Sequence, residues 1–187
     1  MRKNRYFSSG FGFSVLADID FKGIKSPDGR MDMIKYKDNC IIIDYAHTPD
    51  GLENVLKTAR EITPKDGKLI CVFGCGGDRD ATKRPKMGAI AQELADKIII
   101  TSDNPRSEDP QQIITDIIAG LKSVSPDIVT VEPDRGEAIA LLKSIANNND
   151  VVIIAGKGHE DYQILKDRTI HFDDREQAKK VFAGSVI

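Results

Sequence analysis

The chain has 187 residues, 40% hydrophobic and 30% charged, with 27 basic and 29 acidic side chains and a formal net charge of −2. That length suits one globular domain with some extra chain. The near cancellation of charge argues against a disordered tail, a polybasic nucleic-acid binder or a membrane-surface segment, and leaves a small solute as the expected partner.

In chain order, the start "MRKNRYFSSGFGF" is basic but lacks the uninterrupted apolar core of a signal peptide. No apolar run approaches the ~20 residues of a membrane span, so the expected compartment is the cytoplasm. Residues 1–28 predict a helix over about 4–17, an acidic turn and the punctuating "SPDG", and read as the tail of a preceding domain or a linker. The strand-like "MDMIKY" follows. From residue 40 onward "CIII" (40–43), "LICVF" (69–73), "III" (98–100), "IVTV" (128–131) and "VVIIA" (151–155) are short β-branched runs of the kind buried on both faces of a sheet.

Helices are predicted between these runs. Thr48 is a candidate N-cap with Pro49 at the first helical position, and Leu52, Val55, Leu56, Ala59 and Ile62 then share one face. Met87, Ile90, Ala91 and Leu94 form a second stripe, entered through Pro85. Ile113, Ile114, Ile117, Ile118 and Leu121 form a third, entered through Asp109 and Pro110, and a fourth helix is expected over about 135–147. "YQIL" and "TIHF" around "KDR" suggest a hairpin that adds an antiparallel edge strand, before a last helix at about 174–183. The alternation predicts an α/β fold, doubly wound, with a mostly parallel Rossmann-like sheet and helices on both faces.

Cys40, Cys71 and Cys75 form no Cys-x-x-Cys pair, and His47, His159 and His171 are scattered. Neither a zinc site nor a disulfide framework is expected.

Ligands of open α/β sheets bind beyond the carboxyl ends of the strands. Four segments there are rich in polar residues: "DYAHTPD", "GCGGDRDATKRP", "TSDNPRSEDP" and "GKGHED". Together they would bring Asp44, His47, Arg79, Asn104, Arg106, Lys157, His159 and Glu160 to one crevice. Two arginines on separate loops suit carboxylate or phosphate, and Glu160 with glycine-turn carbonyls suits an ammonium, so a small zwitterion with more than one carboxylate fits the set. Plainer readings stand beside these: "GCGGD" as a structural turn, His47 as a turn filler, His171 as a surface residue, "KRP" as a solvated corner, the acids at 108 and 109 as helix N-terminal chemistry, and "EPDRG" as routine connection.

The motifs "GRM" (29–31), "DYAHTPDGLE" (44–53), "VFGCGGDRDATKRPKMGAIA" (72–91), "DNPRSEDP" (103–110) and "AGKGHEDYQ" (155–163) occur in order across 29–187. In these the sequence resembles the C-terminal, amino-acid-binding domain of the Mur ligases, in particular the branch adding the third amino acid of the peptidoglycan precursor. The resemblance implies a longer enzyme in which ATP, with Mg, phosphorylates the γ-carboxylate of UDP-MurNAc-L-Ala-D-Glu, after which the amine of the incoming amino acid attacks the acyl phosphate. It implies that Arg79, Asn104, Arg106, Gly156 and Glu160 hold that amino acid, arginines on carboxylates and Glu160 on the distal ammonium, with Asp103 supporting the loop. It places Arg30 and Asp44 on the nucleotide and His47 and Lys83 near the phosphates. The arginine of "DNPR" implies meso-diaminopimelate rather than lysine.

The chain contains no GxxxxGK[ST] segment. It is therefore expected not to ligate alone, nor to bind ATP and Mg tightly, because positioning of the phosphates supplies most of phosphoryl-transfer catalysis. The alternative is a stand-alone, non-catalytic amino-acid-binding or regulatory module derived from the same domain.

Overall fold

The structure, a computed structural model, describes residues 30–36 and 39–183. The helix expected over 4–17 lies outside them. The chain runs β1 (Asp32–Tyr36), β2 (Asn39–Asp44), α1 (Pro49–Ile62), β3 (Leu69–Phe73), α2 (Lys83–Leu94), β4 (Lys97–Ile100), α3 (Pro110–Ile118), β5 (Val129–Val131), α4 (Arg135–Ala140), α5 (Leu142–Ile145), β6 (Val151–Ala155), β7 (Tyr162–Ile164), β8 (Thr169–His171) and α6 (Asp174–Ala183).

Six strands form one sheet in the order β1-β2-β6-β3-β4-β5, parallel except for β1. Every residue of β3 and β6 is buried, which is why those runs are continuously apolar rather than alternating. On one face Ile42, Cys71, Phe73 and Ile153 pack against α1, α2 and α3 through Leu52, Leu56, Met87, Ala91, Ile113 and Ile117. On the other, Ile41, Ile43, Val72 and Ile154 pack against Ala138, Ile139 and Leu142 of α4 and α5 and Ala178 and Phe182 of α6. Among the described residues no helix is long and apolar enough to cross a membrane.

Local chemistry explains the helix starts. Thr48 Oγ1 accepts the Gly51 N–H at 3.2 Å and Asp109 Oδ1 accepts the Gln111 N–H at 2.9 Å, each ahead of a proline in the first turn. The second helix begins at Lys83, two residues earlier than Pro85 suggested, because proline fits anywhere in a first turn. The fourth is divided at Leu141, yet the bonds from Leu141 N to Glu137 O and from Ile145 N to Leu141 O run across the division. It ends at Ile145.

The antiparallel edge is formed by β1, not by the hairpin. Strands β7 and β8 pair only with each other, as a separate two-stranded sheet. The polar groups of β7 are committed elsewhere: Ile164 O accepts Arg106 N, Ile164 N donates to Asn104 Oδ1, and Gln163 Nε2 donates to Asp103 O. The hairpin thus backs the "DNPR" loop at the carboxyl edge.

Candidate functional site

In the sheet register Asp44 and Phe73 both lie opposite Ala155, Phe73 lies opposite Ile100, and Ile100 opposite Val131. The parallel strands therefore end on one row, and the four polar loops leave from the same edge, as the sequence implied. Because β6 sits between β2 and β3, the "GKGHED" loop emerges in the middle, flanked by "DYAHTP" and "GCGGD".

The predicted residues separate into two neighbouring groups. Arg30, Asp44 and His47 line a cleft of about 430 Å³ together with Tyr45, Thr48 and Asn54. The Asp44 carboxylate is fixed there by the N–H groups of Met31 and Ala46, at 2.9 and 2.8 Å. His47 Nδ1 lies 2.8 Å from Tyr45 O, and Lys83 Nζ donates to His47 O at 2.7 Å. Lys83 thus braces the wall of the cleft.

The second group gathers around Lys157, which is fully buried. Its ammonium donates to Asn104 Oδ1 at 3.0 Å and Tyr162 O at 2.7 Å, and lies 3.4 Å from Asp103 Oδ1 and 3.7 Å from Glu160 Oε2. Asn104 Nδ2 donates to Glu160 Oε2 at 2.9 Å. Asn104 Oδ1 has both lone pairs occupied, by Lys157 and by Ile164 N, so its side chain retains one N–H for a ligand and no acceptor. Asp103 Oδ1 makes no hydrogen bond although its residue is only 8% exposed. Gly156, at φ +120°, brings the backbone past Asp103: a Cβ there would lie 3.8 Å from the Asp103 carboxylate and 3.9 Å from Arg135 Nη2. Burial pushes the Lys157 ammonium below its ordinary pKa, Arg135 pushes the same way, and Asp103, Asp174 and Glu160 oppose.

Tyr45 joins the two groups. Its ring sits 4.7 Å from that of His47 and 5.3 Å from that of His159. Its phenol is held above its usual pKa range, first by burial and then by the charge of Glu160.

The two arginines flank one glycine. A Cβ on Gly76 would lie 2.9 Å from Arg106 Nη1 and 3.8 Å from Arg79 Cγ. Arg79 is exposed, with Nη1 on the carbonyl of Asp78 at 3.1 Å. Arg106 Nη1 donates to Gly77 O at 2.9 Å and Asn104 O at 3.4 Å. One edge of its guanidinium is thereby fixed, and Nε and Nη2 remain to pair with an anion. Arg106 also has φ +53°, a left-handed conformation rare for a residue with a Cβ and concentrated at functional sites.

Two cations that looked peripheral are structural centres of the site. Arg84, in the "KRP" read as a solvated corner, is 2% exposed and pairs with Glu108 and Asp116 at 2.8 Å each, with Nη2 also 3.4 Å from Gly76 O. Glu108, read as helix N-terminal chemistry, is held by Arg84 and by Asp78 N, whereas Asp109 is the cap. Arg135, in the "EPDRG" read as routine, is fully buried with Asp174: Nε and Nη2 reach the two carboxylate oxygens at 2.8 and 2.7 Å, while Ser102 O and Ala155 O accept from its Nη1 and Nη2. It locks the ends of β4 and β6 to the start of α6. Both arginines stand at helix N-termini, where the dipole disfavours a cation; that misplacement was the available sign of a tertiary partner. His171 is exposed and pairs with Glu176, as a surface residue would.

Chemically, the edge offers two arginines whose free donors suit an anion, a carboxylate cluster beside them, and a neighbouring cleft lined by Arg30, Asp44, His47 and the half-buried Tyr45. Among the described residues no group of three or more His, Cys, Asp or Glu side chains is placed to hold a metal.

Residues 29–158 match the family model "Mur ligase, glutamate ligase domain". The chain is 58% identical over 166 residues to the UDP-N-acetylmuramoyl-L-alanyl-D-glutamate--2,6-diaminopimelate ligase of Synechococcus elongatus, covering 88% of this chain and 32% of that protein. It is 53% identical over 175 residues to the ligase of the same name from Clostridium botulinum, covering 88% and 35%. A solved structure of a UDP-N-acetylmuramoyl-L-alanyl-D-glutamate--2,6-diaminopimelate ligase superimposes with a TM-score of 0.79 at 43% identity, over 87% of this chain and 33% of that one. The chain spans about a third of the length of these relatives. Its matched segment, 29–158, carries the six-stranded sheet, three of the polar loops whole and the start of the fourth, and by that match the chain belongs to the Mur ligase family, through its glutamate ligase domain.

Proposed function

We propose that this chain is the amino-acid-binding part of an ATP-dependent amide ligase that adds meso-diaminopimelate to UDP-MurNAc-L-Ala-D-Glu in peptidoglycan synthesis. Residues 29–187 form that domain and residues 1–28 the tail of the part before it. Arg79 and Arg106 take the carboxylates, Asn104 donates its remaining N–H, Gly156 allows close backbone approach, and Glu160 takes the distal ammonium, with Asp103 behind it. The observation carrying this reading is the charge layout. Two arginines flank Gly76, while the adjoining buried cluster sets Asp103, Glu160 and Asp174 against Lys157 and Arg135, a net −1 when all are ionised. One ammonium balances that cluster, and a second carboxylate engages the second arginine.

ATP and Mg belong to the longer protein. Arg30, Asp44, His47 and Lys83 fit the outer edge of a nucleotide: a guanidinium donor, a fixed carboxylate able to accept from hydroxyls, and an imidazole and an ammonium beside the phosphates. The described residues do not fit the metal. A module binding only an amino acid would have no use for that cleft, which favours the ligase reading over the stand-alone one. The isolated chain is expected not to ligate.

Calorimetric titration with meso-diaminopimelate and L-lysine, on the parent chain and Arg106→Ala, tests the reading. Binding of meso-diaminopimelate near millimolar, about 4 kcal/mol, is expected for a site that domain closure would complete, with loss in Arg106→Ala. Equal, negligible heats for both amino acids would remove the proposal.

A further inference from the structure

Resting on that reading, we infer that Lys157 is a positioning residue: it sets Glu160 to receive a ligand ammonium, directly by charge and indirectly through Asn104.

The indirect route is a hydrogen-bond relay with a fixed direction. The two ends of an asparagine amide are nearly alike in shape, so its orientation is decided by its neighbours. Lys157 Nζ and Ile164 N both point at one end of Asn104, each at 3.0 Å, and both are donors. That end must be oxygen, which leaves Nδ2 facing Glu160 Oε2 at 2.9 Å. A flipped amide would oppose a donor to two donors and an oxygen to a carboxylate. Lys157 supplies the charged member of the pair that forbids the flip.

The direct route is the ammonium itself, 3.7 Å from Glu160 and 3.4 Å from Asp103. Without it the cation left beside the two carboxylates is Arg135, already paired with Asp174, and Glu160 would turn outward. Lys157 is not a ligand contact of the ordinary kind, because it is fully buried, two of its donors are spent on Asn104 and Tyr162 O, and its charge sits beside Asp103 and Glu160. A staple holding the loop would need no charge. A methionine of similar length would fill the space without a desolvation penalty, so the lysine's distinctive contribution is electrostatic.

The test compares meso-diaminopimelate with 2-aminopimelate, the same diacid lacking one ammonium, and with L-lysine, by calorimetry on the parent chain and Lys157→Met. The parent should favour meso-diaminopimelate over 2-aminopimelate by about tenfold or more. Lys157→Met should lose that preference, while the preference over L-lysine, which belongs to Arg106, stays within about twofold of its parent value. A variant that keeps the ammonium preference overturns the inference. If Lys157→Met does not fold, Lys157→Gln keeps hydrogen-bonding capacity without charge and carries the same expectation. If the parent binds no amino acid, the functional reading fails instead, and a ligand-free readout still decides: the Asn104 side-chain amide resonances should move and exchange faster on removing Lys157, and unchanged resonances overturn the relay.

Discussion

Arg84, on α2, and Glu108, in the loop before α3, meet at 2.8 Å, and the same guanidinium reaches Asp116 on α3 at 2.8 Å. Glu108 in turn accepts the N–H of Asp78, and Asp78 accepts the hydroxyl of Ser107 at 2.6 Å. One buried cation therefore holds the Arg79 loop and the Arg106 loop as a unit. Replacing it by methionine should lower the unfolding free energy by about 2 kcal/mol, read from urea midpoints. The loss stays below that of a fully buried pair because Glu108 and Asp116 are each 31% exposed and can rehydrate.

The same clamp predicts an acid dependence. Glu108 and Asp116 are held below their ordinary values of 4.5 and 3.8, both first by the hydrogen bond from Arg84. A carboxylate depressed in the folded state contributes stability that is complete above its unfolded value and disappears as pH falls through the folded one. The stability gap between the parent and Arg84→Met should therefore be constant near neutrality and begin to close as pH falls below the ordinary value of Glu108, 4.5, closing further below that of Asp116, 3.8. A gap that is flat over that range would mean the acids are not coupled to Arg84.

Arg106 carries its guanidinium on a left-handed backbone, φ +53°. Arg106→Gly and Arg106→Ala both remove the guanidinium, but only glycine relaxes the backbone. The glycine variant should be the more stable by about 0.5–1 kcal/mol in thermal or urea unfolding. An alanine variant of equal or greater stability would show that this loop is not strained.

Arg135 and Asp174 are each fully buried, so removing one leaves the other without compensation. Arg135→Met should cost about 3–5 kcal/mol, and the double variant Arg135→Met with Asp174→Leu should recover about half or more of that loss. Additive losses in the double-mutant cycle would mean that the pair is not the source of the cost.

The strands, the helix-packing faces and the shared edge were legible because each follows from short-range rules. β-branched runs mark buried strands, Thr48–Pro49 and Asp109–Pro110 mark helix starts, and parallel strands must release their following loops at one end. Arg84, Arg135 and Lys157 were not legible as buried centres: the two arginines' places at helix N-termini hinted at tertiary partners, but a local window cannot name an acid 39 residues away, as Asp174 is from Arg135. The hairpin was recognised, but its placement was not. Whether β7 joins the sheet depends on competing partners for its backbone, and Asn104 and Arg106 took them. Tyr45 stood in view between Asp44 and His47, yet its link to Glu160 required the inserted position of β6.

That insertion has a consequence for how the chain acquires its shape. β6 is the last strand of the sheet to be made and stands between two of the earliest, pairing Val151 with both Cys40 and Leu69. Until it arrives, β2 and β3 each present an unsatisfied inner edge, and the closure joining them spans most of the domain, a slow and non-local step. The loop bearing Gly156, Lys157 and Glu160 is delivered by that same step. Completion of the sheet and assembly of the site are thus expected to be one cooperative event, so a half-folded chain would be prone to stick to its neighbours and unable to recognise a ligand.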